Sequence, residues 1–126
     1  MINQTLNSNI QPKYDLIERT ALFGENILDF AKLIERSPIN NPLINQIVRS
    51  GTSVGANYSE ANESNSKKDF LHKISLAKKE AKETSHWLRM IIKANPSLEK
   101  QAKPLQKEAH ELVLIFSSIV RKGKIV

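Results

Sequence analysis

The segment from residue 67 to residue 93 constrains the fold most, because its apolar residues recur at alternating steps of four and three. This spacing is the seam of a helix that packs in a bundle. Ser66 precedes the segment as a candidate N-cap, and Asn95-Pro96 follows it as a stop signal. The buried seam of this long helix is predicted to consist of Phe70, Ile74, Ala77, Ala81, Thr84, Leu88 and Ile91.

Three further segments show helical spacing. The predicted helices span about 15–36, 41–62, 67–93 and 98–122. Short connections between long helices place successive helices antiparallel. The 4 Gly and 5 Pro are too few turn formers for a sandwich or barrel of many strands. We therefore predict an all-α, antiparallel up-down-up-down four-helix bundle over residues 14–123, preceded by a flexible N-terminal arm at 1–13.

The first helix has a broad apolar face. Its main row, at steps of three and four residues, consists of Ile17, Ala21, Gly24, Leu28, Ala31 and Ile34. A second row widens this face and consists of Leu16, Phe23, Ile27 and Phe30. Asp15 is the candidate N-cap. The residue before Pro38 is pushed out of the α region, so the helix is expected to end near Ser37.

The fourth helix repeats the seam of the third. Pro104 predicts either that the main helix starts there or that an earlier turn is kinked. Gly123 is expected to end the helix, since glycine is favoured just after a helical C-terminus. The predicted seam consists of Ala102, Leu105, Ala109, Leu112, Phe116 and Ile119.

The second helix contains an unusual run of small residues at 50–56. Propensity alone would favour a loop there. The helical period nevertheless continues unbroken through the run, so we predict that it is helical. Gly51 and Gly55 then lie on the buried face, where they would let a neighbouring helix approach closely.

Charge is distributed unevenly along the chain. Residues 1–66 carry a formal charge of −2 and residues 67–126 carry +8, which together give the net +6. Such asymmetry favours an anionic partner such as nucleic acid, although a solvated lysine-rich helix surface explains it equally well. No helix-turn-helix, zinc finger or stacking motif is present. Binding of nucleic acid would therefore be driven by contacts to phosphates and would discriminate little between base sequences. The candidate nucleic-acid-binding residues are Lys67, Lys68, Lys78, Lys79, Lys82, Arg89 and Lys93.

Catalytic, metal and cofactor sites have little support in the sequence. Cysteine is absent, which excludes disulfides and thiolate chemistry and fits a reducing compartment. Glu83 and His86 form one Glu-x-x-His pair, but Lys107 stands where a second pair would need its glutamate before His110. No run approaches the ~20 apolar residues of a membrane span. We expect a cytoplasmic protein that is not an enzyme and has no cofactor, no metal and no membrane partner.

Trp87 flanks the seam of the third helix. A single Trp beside a core usually lies at the core edge, but Trp is also enriched in subunit interfaces. Because the third helix already fills its seam without Trp87, we favour a role at an oligomer interface.

The motif at residues 49–61, RSGTSVGANYSEA, together with KKDF at 67–70 and EAKETSHWL at 80–88, resembles one family closely. This family consists of bacterial four-helix bundle proteins and is named for the 23S rRNA intervening sequence. The resemblance covers most of the chain. It implies an antiparallel bundle that assembles as a homopentameric ring and has no catalytic activity. It also implies similarity to the accessory protein of diversity-generating retroelements, which binds nucleic acid and a reverse transcriptase.

The residues of this motif have a physical interpretation. The glycines allow close helix contact, and the polar residues are expected to pair between the second and third helices, because buried polar groups need partners. We favour specification of the bundle over a ligand site. The motif residues are Arg49, Gly51, Gly55, Asn57, Glu60, Glu80 and Glu83.

Two functions therefore stay open. The first is a homo-oligomeric bundle that binds nucleic acid through its basic surface. RNA or an RNA–protein assembly is the target that we favour. The second is a structural adaptor that binds a protein partner and whose charge serves solubility only.

Overall fold

The computed structural model describes residues 15–125, with their side chains through residue 123. Its elements are α1 (Leu16–Ala31), α2 (Asn40–Asn62), α3 (Lys67–Ala94), a 3-10 turn (Pro96–Leu98) and α4 (Glu99–Ile125). Each helix packs on the next, and α4 returns to α1. This part of the chain contains no strand, and the prediction of an all-α four-helix bundle is confirmed. The predicted flexible arm at 1–13 lies outside the described residues.

Side-chain caps set where α1 and α3 begin. Asp15 accepts a hydrogen bond of 3.3 Å from the backbone N–H of Glu18. Ser66 accepts one of 3.1 Å from the backbone N–H of Asp69. Each bond satisfies an N–H that has no partner within the helix, which fixes these starts at the residues that the sequence indicates.

The first helix ends at Ala31, earlier than the predicted residue 36. The backbone N–H groups of Leu33 and Ile34 donate to carbonyls three residues back, at Phe30 (2.9 Å) and Ala31 (3.2 Å). This tighter turn leads the chain out of the helix and still buries Ile34. The prediction was too long because Ile34 continues the apolar spacing although it belongs to the connection.

Ser37 closes the connection between α1 and α2. Its hydroxyl accepts from the backbone N–H of Asn40 at 3.0 Å, and its own N–H donates to the side chain of Asn41 at 3.2 Å. The side-chain amide of Asn40 donates to the carbonyl of Glu35 at 2.7 Å and to the side chain of Asn95 at 3.0 Å. These bonds tie the connection to the end of α3.

The buried face of α1 differs from the predicted one. Ile17 and Leu28 of the predicted main row are 51% and 39% exposed, and Ala21 is exposed as well. The other members of that row, Gly24, Ala31 and Ile34, are buried as predicted, and so is the second row. Thr20 is buried as well, and its hydroxyl donates to the carbonyl of Leu16 at 2.7 Å. Periodicity does not distinguish the exposed apolar positions from the buried ones, which the neighbouring helices decide.

The predicted seams of α3 and α4 supply the rest of the core. Their residues are buried, apart from Phe70 and Ile119, which are half-buried and pack against the core. The fourth helix begins at Glu99 and continues through Pro104. The main helix therefore does not start at the proline.

Gly123 does not end α4, as the sequence analysis expected, because the helix continues to Ile125. A Cβ on Gly123 would lie 2.6 Å from a δ-carbon of Leu71 on α3. The space beside Gly123 is thus occupied by the end of the Leu71 side chain, which would have to move to admit a larger residue.

Glycines also allow α1 to pack closely on α2. The run at 50–56 is helical, as predicted. A Cβ on Gly51 would lie 2.8 Å from Cγ2 of Ile27, and a Cβ on Gly55 would lie 3.3 Å from the carbonyl oxygen of Thr20. Both glycines thus face α1, where a larger side chain would hold the two helices apart.

Candidate nucleic-acid interface on the third helix

The outer face of α3 carries a row of polar side chains opposite its buried seam. This row repeats the steps of four and three residues that define the seam, and it contains no carboxylate. A helix with such a row presents one polar surface along its whole length. The row consists of Lys68, His72, Ser75, Lys79, Lys82, His86, Arg89 and Lys93, all of them exposed.

The seven cations that the sequence predicted lie in or beside this row, and we call them the basic face. Lys78 is half-buried and the other six are exposed. Within residues 15–123, none of the seven forms a salt bridge. The basic face consists of Lys67, Lys68, Lys78, Lys79, Lys82, Arg89 and Lys93.

Arg49 on α2 pairs with acidic side chains of α3. One guanidinium nitrogen lies 3.2 Å from the carboxylate of Glu80, and another bonds to Glu83. Desolvation lowers the pKa of Arg49, but the attraction of Glu80 and Glu83 outweighs it and leaves that pKa raised. Arg49 therefore holds both carboxylates toward α2, and its single positive charge compensates one of their two negative charges.

A second ion pair joins the same two helices. The ammonium group of Lys73 lies 2.5 Å from the carboxylate of Glu60. Asn57 does not form the pairing with α3 that the sequence analysis expected. Its side-chain amide donates instead to the carbonyl of Ser53 in its own helix at 3.0 Å. Among the motif residues, Arg49, Glu60, Glu80 and Glu83 thus link the two helices, whereas Asn57 bonds locally.

A further arginine, on α1, pairs with two carboxylates of α4. Arg19 lies 2.7 Å from Glu108 and 2.8 Å from Glu111. The hydrogen bond with Glu108 raises the pKa of Arg19. Sequence reasoning missed this cluster because the partners are far apart in the chain. The sequence feature that could have indicated this cluster is the three-residue spacing of Glu108 and Glu111, which places two carboxylates on one side of a helix.

A buried pair of hydroxyl groups lies between α2 and α3. Ser50 and Thr84 are both fully buried, and their hydroxyl oxygens are 2.9 Å apart. The hydroxyl of Thr84 also lies 2.8 Å from the carbonyl of Glu80. The sequence placed Thr84 in the seam without identifying this partner on the neighbouring helix.

Trp87 lies at the edge of the core. Its ring is half-buried and packs against the core cluster, and its indole N–H donates to Glu83 at 3.2 Å. The ring of His86 meets it edge-on, with the centroids 4.8 Å apart. Trp87 therefore joins the ion-paired cluster of Arg49, and its role at an oligomer interface stays a prediction.

The described residues provide neither a metal site nor a membrane-spanning helix. No group of three or more His, Asp or Glu side chains there is arranged to hold a metal ion. No helix there is both long enough and apolar enough to cross a membrane.

Residues 13–118 match the family described as 23S rRNA-intervening sequence protein. The chain belongs to this family. A similar fold occurs in the crystal structure of a protein of unknown function from the S23 ribosomal protein family of Bacteroides thetaiotaomicron VPI-5482. That protein is 31% identical, with a TM-score of 0.71, over 82% of this chain and 97% of its own. A comparison with curated proteins found no match.

This member of the 23S rRNA-intervening sequence protein family also exposes apolar side chains on α1. Ile17, Ala21 and Leu28 line one side of a groove, and Gly55 and Ala56 of α2 line the other. The sequence interpretation placed the α1 residues in the core, so it missed this surface. The only signal available was the excess of apolar residues on α1, which has more than one helix face can bury.

Proposed function

We propose that this protein is a non-enzymatic homo-oligomer that binds nucleic acid through the phosphates, using the basic face of α3. The observation that carries the proposal is the separation of charge around α3. The cations of the basic face lie on its outer side, whereas Glu80 and Glu83 are held by Arg49 on α2. A surface of this kind attracts polyanions and releases their counterions on binding.

The ion pairs of α4 support the same proposal. Glu108 and Glu111 are paired with Arg19 on α1, and Glu99 lies 3.6 Å from Lys103. These carboxylates of α4 are thus engaged with cations outside the basic face. On α3 itself, Glu80 and Glu83 pair with Arg49, and Asp69 at the start of the helix is the exposed carboxylate beside the basic face.

A homopentameric assembly is part of this proposal and rests on the resemblance to the family. Five copies, each with a formal net charge of +6, would carry +30 on one particle. The exposed apolar side chains of α1 support self-association, because such surfaces tend to be buried between subunits. A cytoplasmic location is also proposed, since the chain of 126 residues has no cysteine. The resemblance favours RNA, or an RNA–protein assembly, as the target.

Fluorescence anisotropy with labelled RNA and DNA over a salt series tests the proposal. Binding should weaken steeply between about 50 and 200 mM salt, because each phosphate contact releases counterions. Changing Lys78, Lys79 and Lys82 together to Glu should weaken binding to all sequences without loss of helicity. Failure of the wild type to bind any of the probes at low salt would contradict the proposal.

The groove between α1 and α2 supports a second candidate function, a structural adaptor for a protein partner. Ile17, Leu28 and Gly55 line this groove and offer apolar contacts to a partner. The groove lies between α1 and α2, and α3 takes no part in it. In this case the charge would serve solubility only. The same experiment separates the two functions, because an adaptor would show no salt-sensitive binding of nucleic acid.

A further inference from the structure

The basic face is divided into three groups of cations along α3. Between these groups, the outer row carries His72, Ser75 and His86 in place of lysine or arginine. The first group is Lys67 and Lys68, the middle group is Lys78, Lys79 and Lys82, and the last group is Arg89 and Lys93.

The groups are evenly spaced. Their centres are separated by about 12 and about 11 residues, which correspond to roughly 18 and 17 Å at ~1.5 Å per residue. At 3.6 residues per turn, all seven side chains point into a sector about 120° wide. The helix therefore presents three regularly spaced patches of positive charge along one line.

A nucleic-acid duplex presents phosphates with a similar spacing. A rod that lies along the axis of a duplex crosses two phosphate strands in each turn of ~34 Å, or one about every 17 Å on average. We propose that α3 lies lengthwise against a duplex, with each group of cations at one strand crossing. This inference rests on the proposed function and specifies the form of nucleic acid that the basic face takes. The two grooves differ about twofold in width, so alternate crossings are unequally spaced, and the long lysine side chains must reach to either side of each group.

The aromatic residues favour a duplex over a single strand. Proteins that bind single strands usually stack successive bases on exposed aromatic rings. Within residues 15–123, every Phe, Tyr and Trp is buried or half-buried. His72 and His86 are exposed, but 14 residues of helix place them roughly 21 Å apart, too far to stack neighbouring bases. The attraction is thus electrostatic, and it is greatest for the ligand with the highest density of phosphates.

The test compares ligands that carry the same number of phosphates. Duplexes of about 12 base pairs, one of DNA and one of RNA, span just over one turn, and an unstructured strand of about 24 nucleotides matches their charge. At low salt we expect the wild-type protein to bind at least one duplex about fivefold or more tightly than the single strand. Equal or tighter binding of the single strand would overturn this inference and leave the proposed function intact. Absence of binding to all three would overturn both.

A pair of variants tests the lengthwise arrangement. Arg89→Gln with Lys93→Gln removes the last group, and Lys32→Gln with Arg36→Gln removes the same charge from the region of α1 and the connection after it. The first variant should weaken binding of the 12-base-pair duplex about tenfold. It should weaken binding of a 6-base-pair duplex only about twofold. A duplex ~20 Å long contacts only two groups at a time, and the first and middle groups are unchanged in this variant.

The second variant should change both affinities by less than about twofold. Equal weakening of the long and short duplexes by Arg89→Gln with Lys93→Gln would show that the cations act as a diffuse charge. That result would overturn the lengthwise arrangement.

Discussion

The guanidinium group of Arg49 on α2 lies 3.2 Å from the carboxylate of Glu80 on α3. This contact, with the bond from Arg49 to Glu83, keeps the acidic side of α3 against its neighbour. The outer row of the same helix, opposite the buried seam, is left with cations and residues other than carboxylates. The polarity of α3 thus depends on a residue of another helix.

Replacing Arg49 with Gln should therefore weaken binding of nucleic acid more than the loss of one charge elsewhere. The carboxylates of Glu80 and Glu83 would be left without their counterion beside the basic face. The matched variant is Arg36→Gln, since Arg36 is exposed and forms no salt bridge within residues 15–123. Anisotropy at low salt should show a loss for Arg49→Gln about three times that for Arg36→Gln. Equal losses would contradict the prediction.

The same variant should change stability only slightly. Arg49 is substantially exposed, and exposed ion pairs contribute about 0–1 kcal/mol. Urea unfolding followed by circular dichroism should place Arg49→Gln within about 1 kcal/mol of the wild type. A larger loss would show that the ion pair is a major determinant of the bundle.

Two glycines at the contact of α1 with α2 should respond in opposite ways to alanine. Gly51→Ala would place a Cβ 2.8 Å from the fully buried side chain of Ile27, and overpacking of this kind costs about 1–3 kcal/mol. Gly24→Ala would place a Cβ at ordinary contact distance, 3.5 Å from the backbone of α2. It should stabilise the helix by about 0.5–1 kcal/mol, because alanine loses less backbone entropy. Urea unfolding measures both, and a Gly51→Ala protein more stable than the wild type would contradict the packing role of Gly51.

The buried hydroxyl pair of Ser50 and Thr84 should show strong coupling. Thr84→Val leaves the buried hydroxyl of Ser50 with only the long 3.5 Å bond to the carbonyl of Ile47, and it should cost about 1–3 kcal/mol. Ser50→Ala should cost less, because the hydroxyl of Thr84 keeps the carbonyl of Glu80 as a partner. The double variant should be more stable than Thr84→Val alone, since both polar groups are then removed. Additive losses in the double-mutant cycle would show that the two hydroxyls act independently.

Self-association through α1 gives a prediction about mass. Light scattering should give the wild type a mass well above 14.3 kDa at micromolar concentration. Ile17→Ser with Leu28→Ser should lower that mass without loss of helicity, because both side chains are exposed beside the groove. The control is Leu114→Ser, since Leu114 is also exposed but lies on α4. A monomeric wild type would contradict the oligomer, and dissociation by the control alone would place the interface on α4.

The sequence by itself determined the helices and most of the core. The seams of α3 and α4 were predicted residue by residue, because alternating steps of four and three leave only one face to bury. The helical run at 50–56 followed from the unbroken period in spite of its glycines. The basic face was also visible, since its cations lie on a single helix whose register the apolar residues fix.

Only the tertiary structure decided which contacts the polar and small residues make. On α1 two apolar rows have the same period, so the placement of the neighbouring helices determined that Phe23 and Ile27 are buried and Ile17 is exposed. The pairing of Arg19 with Glu108 joins residues 89 positions apart, which no local pattern encodes. Gly123 was predicted to end a helix, but the side chain of Leu71 on another helix occupies the space beside it. In each case the deciding distance runs between helices, and the spacing of residues within one helix does not contain it.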